Sequence, residues 1–169
     1  DRTMILAHLL SGYLFGRASG SHDRAVLIAA LIGSVAPDFD MLWFYLVDQG
    51  QTHHHRFWPH IPLVWAGIAA LVLPLIAITA RRWLAPAAAF LGAVMMHLVL
   101  DTVNGGIMWL WPFSDRLVTL VTVPATRSNW VLSFLTHWSV LAEIAIILAA
   151  AILLVRDRHA VRTSRQRIG

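Results

Sequence analysis

Apolar residues run along this chain in blocks separated by short polar clusters, and the blocks are of unequal length. Three of them, residues 61–80, 84–100 and 130–155, reach or approach the roughly 20 apolar residues that carry a helix across a bilayer. Two earlier blocks, 4–16 and 25–36, hold about a dozen residues each, half a membrane at roughly 1.5 Å per residue. They predict a short helical hairpin turned by the polar residues 17–24. A secretory signal is the rival reading of the first block, but His8 interrupts it and no small-residue cleavage site follows. Gly12 and Gly16 form a small-xxx-small pair that lets another helix approach closely. Pro37 lacks a backbone N–H and disfavours helix at Ala36, so the second helix should stop there. Apolar residues resume at Met41, which predicts a broken segment, tolerated at membrane depth only where it is buried in protein or lines a wet cavity. The pattern as a whole predicts an all-α, polytopic membrane bundle with short or broken N-terminal helices and about three full spans. Residues 1–155 form one embedded domain and 156–169 a basic tail.

Composition strengthens that picture. Of the 169 residues 58% are hydrophobic and 13% charged, with a mean hydropathy of +0.66; globular domains carry about 25% charge. There is no Cys, hence no disulfide framework and no thiolate metal site. All 13 basic residues are Arg and the pI is near 11. Their placement argues against a nucleic-acid partner. Alternating helices put Arg17, Arg24, Arg81, Arg82 and the five arginines after Val155 on one side, and the positive-inside rule makes that side cytoplasmic. The tail is then a topology anchor that touches anionic lipid. The opposite, periplasmic or outer face receives nearly every side chain able to bind a metal. Membrane lipid is the expected solvent, and homo-oligomerisation is left open.

Four short stretches carry that chemistry. "SVAPDFD" places Asp38 and Asp40 in the break after Pro37, spaced so that extended backbone points both one way. "MMHLVLD" places His97 and Asp101 four apart, on one helix face; imidazole and carboxylate together suit zinc, manganese or iron. His8, in "ILAHLLSG", sits at a depth matching the two aspartates across the hairpin. "THHHRFWPH" gathers His53, His54, His55 and His60 around Arg56. Consecutive residues cannot all reach one ion, so His53 and His54 are expected behind the ligands or in solvent, while Arg56 offers a fork for an oxyanion. The plainer readings are solvated loop aspartates, a satisfied polar pair between helices, and interfacial Trp and Arg. In the last span Glu143 lies near mid-membrane, where an ionisable group points to function. His137, six residues before it, is poorly spaced to share its helix face.

Taken in order, a leading His, "PDFD", "HRFWPH", "HLVLD" and "NGGIMWLWPFSDR", the chain resembles the bacterial inner-membrane-bound metal-dependent hydrolases of the YdjM type. The matching positions are His8, Asp38, Asp40, His55, Arg56, His60, His97, Asp101, Asn104 and Trp111-Pro112, over about residues 5 to 116. One departure stands out: the family's Gly-x-Thr-His is here Phe57-Trp58-Pro59-His60, which puts a proline directly before an expected ligand. The family is in turn distantly similar to zinc-dependent phospholipase C and related single-strand nucleases, which implies phosphoester hydrolysis.

The resemblance and the residues converge on one expectation. His8, Asp38, Asp40, His55, His60, His97 and Asp101 offer seven ligands, against three protein ligands for one catalytic zinc, which suggests two divalent ions. The ions are zinc, or manganese, iron or magnesium. They would activate water against a lipid or headgroup phosphoester at the inner membrane. Asp40, Arg56, Asn104 and Arg116 are the expected catalytic residues, with Arg127 a further phosphate partner. Two rivals use the same cluster: a divalent-metal or proton transporter, and a scaffold with a structural ion. The absence of an internal repeat argues against the first, and the excess of ligands over a closed set of four against the second.

Overall fold

The computed structural model describes residues 2–21, 23–124 and 130–166. Among the described residues there are seven α-helices: α1 (Arg2–Ala18), α2 (Arg24–Gly33), α3 (Asp40–Leu46), α4 (Pro62–Thr79), α5 (Leu84–Asn104), α6 (Trp130–Leu135) and α7 (Val140–Gln166). Among the described residues there is no β-strand, only an isolated antiparallel bridge between Ile107 and Val118. The all-α membrane architecture read from the apolar blocks is the one observed.

The hairpin forms for local reasons. Asp23 caps α2 by accepting a hydrogen bond from the Ala25 N–H at 2.8 Å, and Ser19 and Ser21 tie down the turn before it. Gly12 and Gly16 do face a helix. A Cβ at Gly12 would lie 2.3 Å from Ser34 Oγ, and one at Gly16 3.0 Å from Leu27 Cδ1. α2 presses still harder on α5, where a Cβ at Gly33 would meet the Phe90 carbonyl oxygen at 2.3 Å. Close backbone approach of this kind holds helices together where lipid removes the hydrophobic drive between them. Val26, Ala30, Ala89 and Ala93 fill the resulting contact with Phe15 packed against it, and Trp65, Leu91, Val94, Leu98 and Ile107 form a second core nearer the other end.

The spans differ in part from those expected. Block 61–80 becomes α4, and 84–100 becomes α5, which runs on to Asn104. Both are long and apolar enough to cross a membrane. The block 130–155 is not one helix. It breaks between α6 and α7, where polar side chains compete for the backbone: Thr136 Oγ1 donates to the Leu132 carbonyl oxygen at 2.8 Å, and His137 Nδ1 accepts from the Ser139 N–H at 3.3 Å. α2 and the segment Pro37–Leu46 instead form a pair bent by 50°, a broken crossing or a re-entrant loop, as Pro37 predicts. The basic segment after Val155 continues α7 as far as Gln166.

At the hairpin-turn end, Arg17 clamps Asp157 through Nη2 and Nε, both at 2.8 Å, and Tyr13 adds a hydrogen bond. The fork fixes α1 to α7 there, and the Tyr13 hydrogen bond together with the Arg17 fork holds the Asp157 carboxyl below its usual range. His8, His53, His54, His55, His60 and His97 collect at the other end, where α4 begins and α5 finishes.

Candidate metal centre

Four segments converge on the Asp101 carboxylate, which is 3% exposed. α5 supplies His97 one turn before Asp101, with His97 Nε2 3.0 Å from Asp101 Oδ2. His60 Nε2 and His55 Nε2 each lie 3.5 Å from that same oxygen. α1 brings His8, whose Nε2 is 3.1 Å from Asp101 Oδ1 and whose ring lies 4.0 Å from that of His97. Asp38 closes the group from the break after Pro37, its Oδ1 3.7 Å from His97 Nε2 and 4.0 Å from His60 Nε2.

The orientation of the rings says more than their proximity. Each of three imidazoles has its Nδ1 occupied: His55 by the Gly106 carbonyl oxygen at 3.0 Å, His60 by Asp40 Oδ2 at 2.7 Å, and His97 by the Ser34 carbonyl oxygen at 2.7 Å. Partners that only accept require Nδ1 to carry the proton, which leaves Nε2 as a lone pair when the ring is neutral. Metal-ligating histidines are held in this way. Their Nε2 atoms meet around Asp101, and His60 Nε2, His97 Nε2 and Asp101 Oδ2 are buried with no hydrogen-bond partner. Buried polar atoms left so are costly. Ligands at about 2.0–2.2 Å from one ion stand roughly 3–4 Å from each other, which matches these separations. The donor set fits a divalent ion. Three groups bring their ligand atoms within 4.8 Å of one another: His60 with His97 and Asp101, His8 with Asp38 and His97, and His54 with His55 and His60.

Local sequence explains how each ligand arrives. His53 caps a short 3₁₀ turn, His54–Arg56, by accepting from the His55 N–H at 3.3 Å. A second such turn, Trp58–His60, contains Pro59, whose carbonyl oxygen accepts from Trp65 Nε1 at 2.7 Å. Pro59 therefore does not displace His60, which is fully buried at the centre of the cluster. After α5, a Cβ at Gly105 would stand 2.2 Å from His55 Cε1, and Gly106 takes φ +78°, which a side chain would strain. The "NGG" stretch is thus the seat of the His55 ring.

Burial pulls the His55 imidazole down to about 3 against the attraction of Asp101. Burial acts on His60 in the same sense but is outweighed by the carboxylates of Asp101 and Asp40, which raise it to about 9. Without an ion, His60 holds the proton that an ion would displace.

A family model described as YdjM inner membrane protein matches residues 3–161. The chain belongs to the YdjM inner membrane protein family. No curated protein and no solved structure matches it. The YdjM resemblance is therefore shown, whereas the wider likeness to phospholipase C and the nucleases is not.

Within this YdjM protein, six of the seven expected ligands, His8, Asp38, His55, His60, His97 and Asp101, lie in the cluster. Asp40 stands apart from them. One of its oxygens is engaged by His60 Nδ1 and the other is 3.8 Å from His54 Nδ1, so it orients imidazoles from behind. Residues two apart on helical backbone point to different faces, and Asp38 and Asp40 sit in a 3₁₀ turn and a helix rather than an extended loop. Arg56 pairs with Asp115 at 3.8 Å at the rim. Arg116 is exposed, on the loop after α5, and Arg127 lies outside the described residues. Asn104 lines a cavity of about 40 Å³ behind Asp101, together with His8, Ser139 and Glu143, and its Oδ1 is buried without a hydrogen-bond partner. Glu143 is thus drawn to the cluster, while His137 pairs with Ser139 at the α6–α7 break. Sequence reasoning missed His54 as a ligand candidate, along with the Ser34 and Gly106 carbonyls. A glycine pair beside a histidine-bearing motif was the available signal for Gly106.

Proposed function

We propose that this YdjM-family protein is a metal-dependent hydrolase acting on a phosphoester, with zinc the ion its donor set suits best. The carrying observation is the convergence of unpartnered Nε2 atoms on Asp101 while each opposite Nδ1 is hydrogen-bonded. His60, His97 and Asp101 would hold one ion; His97 has a single free nitrogen, so a second ion would take His8 and Asp38 with the other Asp101 oxygen, 3.1 Å from His8 Nε2. A divalent ion supplies Lewis acidity there and lowers the pKa of water towards neutrality. Asp38 is more exposed than Asp40 and Asp101, so its oxygen not bound to an ion would be free to take a proton from the attacking water. Arg56 exchanges its exposed partner Asp115 for phosphate oxygens. Hydrolysis adds water across the ester: its oxygen bonds to phosphorus, the P–O bond breaks, and the alcohol leaves with a proton. Arg81 and Arg82 lie between α4 and α5 at the far end from the cluster, and Arg17 and Arg156 lie at the Asp157 end. By the positive-inside rule, that distribution supports a site on the periplasmic or outer face and a cytoplasmic C-terminus.

The test is elemental analysis of detergent-purified protein, wild type beside His97→Ala/Asp101→Ala, followed by a screen of phosphoesters with added metal. About two equivalents, lost in the double variant, together with phosphate release support the reading. A metal-free wild type prepared without chelators ends it. Metal retained without hydrolysis of any ester, but with ion flux into proteoliposomes, would convert it to transport, the reading that the bent α2–α3 pair favours.

A further inference from the structure

An aromatic groove of about 530 Å³ opens directly beside the metal centre. Its walls are Phe39 and Trp43 on one side and Phe57, Trp58 and Trp65 on the other, with Asp40 at its inner end. That carboxylate bonds His60 Nδ1, so a single side chain separates the groove from the ligands. The far wall is firm, because Trp65 is tied to the Pro59 carbonyl and its ring lies 5.9 Å from that of Trp58. Phe39, Trp43 and Trp58 are nevertheless 63%, 57% and 59% exposed, large apolar faces without protein cover.

We propose that this groove seats the hydrocarbon chain of a phosphoester lipid whose phosphate lies at the metal centre. The proposal deepens the hydrolase reading and rests on it for the phosphate end. Three observations choose the occupant. The volume falls in the ordinary range for small-molecule sites, ~300–1,000 Å³. Apart from Asp40 and the indole N–H groups of Trp43 and Trp58 the lining is apolar, so a sugar or other polar headgroup would leave most of its hydrogen bonds unmade there. The groove also sits at the bend of the α2–α3 pair and continues onto exposed Leu42 and Leu46, the face an inner membrane protein presents to lipid. Charge favours the same arrangement. Arg56 follows the cluster residue His55 and precedes the groove residue Phe57 in the chain, and its partner Asp115 is exposed, so a cation is available to phosphate between the two.

The test uses two photoreactive probes in bicelles, a long-chain alkyl phosphate and the matching alcohol, each with a diazirine in the chain. Labelled peptides are mapped by mass spectrometry, and metal content is measured on the same preparation. The phosphate probe should label the peptides bearing Trp43 and Trp58 about tenfold more than the alcohol does, the order of effect expected from burying one chain segment and anchoring its end. Trp43→Ala and Trp58→Leu should each lose that excess and keep the bound metal. Equal labelling by both probes, or labelling spread along exposed α4 at Leu71 and Ile78, overturns the groove as a site. Labelling that persists in a metal-free wild type would instead sink the hydrolase reading and leave the chain site standing.

Discussion

α4 and α5 are neighbours, similar in composition and both long enough to cross a membrane, yet they are used in opposite ways. α4 is the more apolar, with a mean hydropathy of 2.2 against 1.8, but only 11% of its span is buried in the protein against 39% for α5. Its glycine, Gly67, has nothing within 4 Å of where a side chain would start. On α5, a Cβ at Gly92 would strike the Phe15 ring at 2.6 Å, and Phe90 takes the close approach of Gly33. The helix that spends its length facing lipid carries no titratable side chain, while the helix enclosed by α1, α2 and α4 carries His97 and Asp101. In a bilayer, apolarity marks a lipid-facing surface rather than a core, and the small and ionisable residues mark the interior.

The sharpest break of this contrast is at Asp101. Asp101→Ala should empty the centre, because four imidazoles lose the carboxylate they share, while Leu71→Ala on α4 should leave metal content unchanged. Elemental analysis decides it, and a metal-replete Asp101→Ala protein would remove α5 from the site. A packing version follows. Gly33→Ala drives a Cβ into a backbone oxygen that cannot swing aside, so α2 and α5 must part, at about 1–3 kcal/mol for overpacking. The parting also carries away Ser34, whose carbonyl holds His97. Thermal melts in detergent should show a lowered midpoint and weaker metal retention for this variant. Gly67→Ala should melt as wild type does, and equal melting of the two variants would refute the distinction between enclosed and lipid-facing helices.

A smaller effect is expected one layer out. Asp40→Asn keeps the shape behind His60 but removes the negative charge, and loss of such a supporting carboxylate costs about 10–100-fold in metal affinity. Competition with a fluorescent chelator measures it. Unchanged affinity would make Asp40 a bystander of the centre. A complete loss matching Asp101→Ala would make it a ligand, as the sequence suggested.

That ambiguity over Asp40 shows what was legible in the sequence and what was not. Features set by local spacing came through: the His97–Asp101 face, the break at Pro37, the Gly12 and Gly16 stripe against α2. Features set by tertiary approach did not. Nothing in "PDFD" says that the first aspartate turns to the ligands and the second to the back of His60, since that depends on the helical turn formed after Pro37. Ser34 and Gly106 act through carbonyl oxygens, which every residue possesses. The long apolar block from 130 to 155 pointed to one helix, but the Thr136-to-Ser139 stretch satisfies its own backbone and ends α6. Arg56 looked like a free phosphate clamp because Asp115, far on in the chain, is brought to it only by the fold.

The gentlest probe of the comparison is pH. Asp101 and Asp40 raise His60 to about 9, so in the ion-free protein its proton stabilises the fold fully below the ordinary value of 6.5, and that contribution fades as pH climbs towards 9. An ion must displace the same proton. Apparent metal affinity should therefore rise with pH, by about tenfold per unit for one displaced proton, and level off near the raised value. Removing the carboxylate behind His60 should lower the proton's affinity for that ring as well as the ion's. In Asp40→Asn the plateau should accordingly begin at a lower pH than in wild type, although affinity at every pH is weaker. A plateau that stays in place would mean that Asp101 alone governs His60, and α5 would then control the proton as well as the ion.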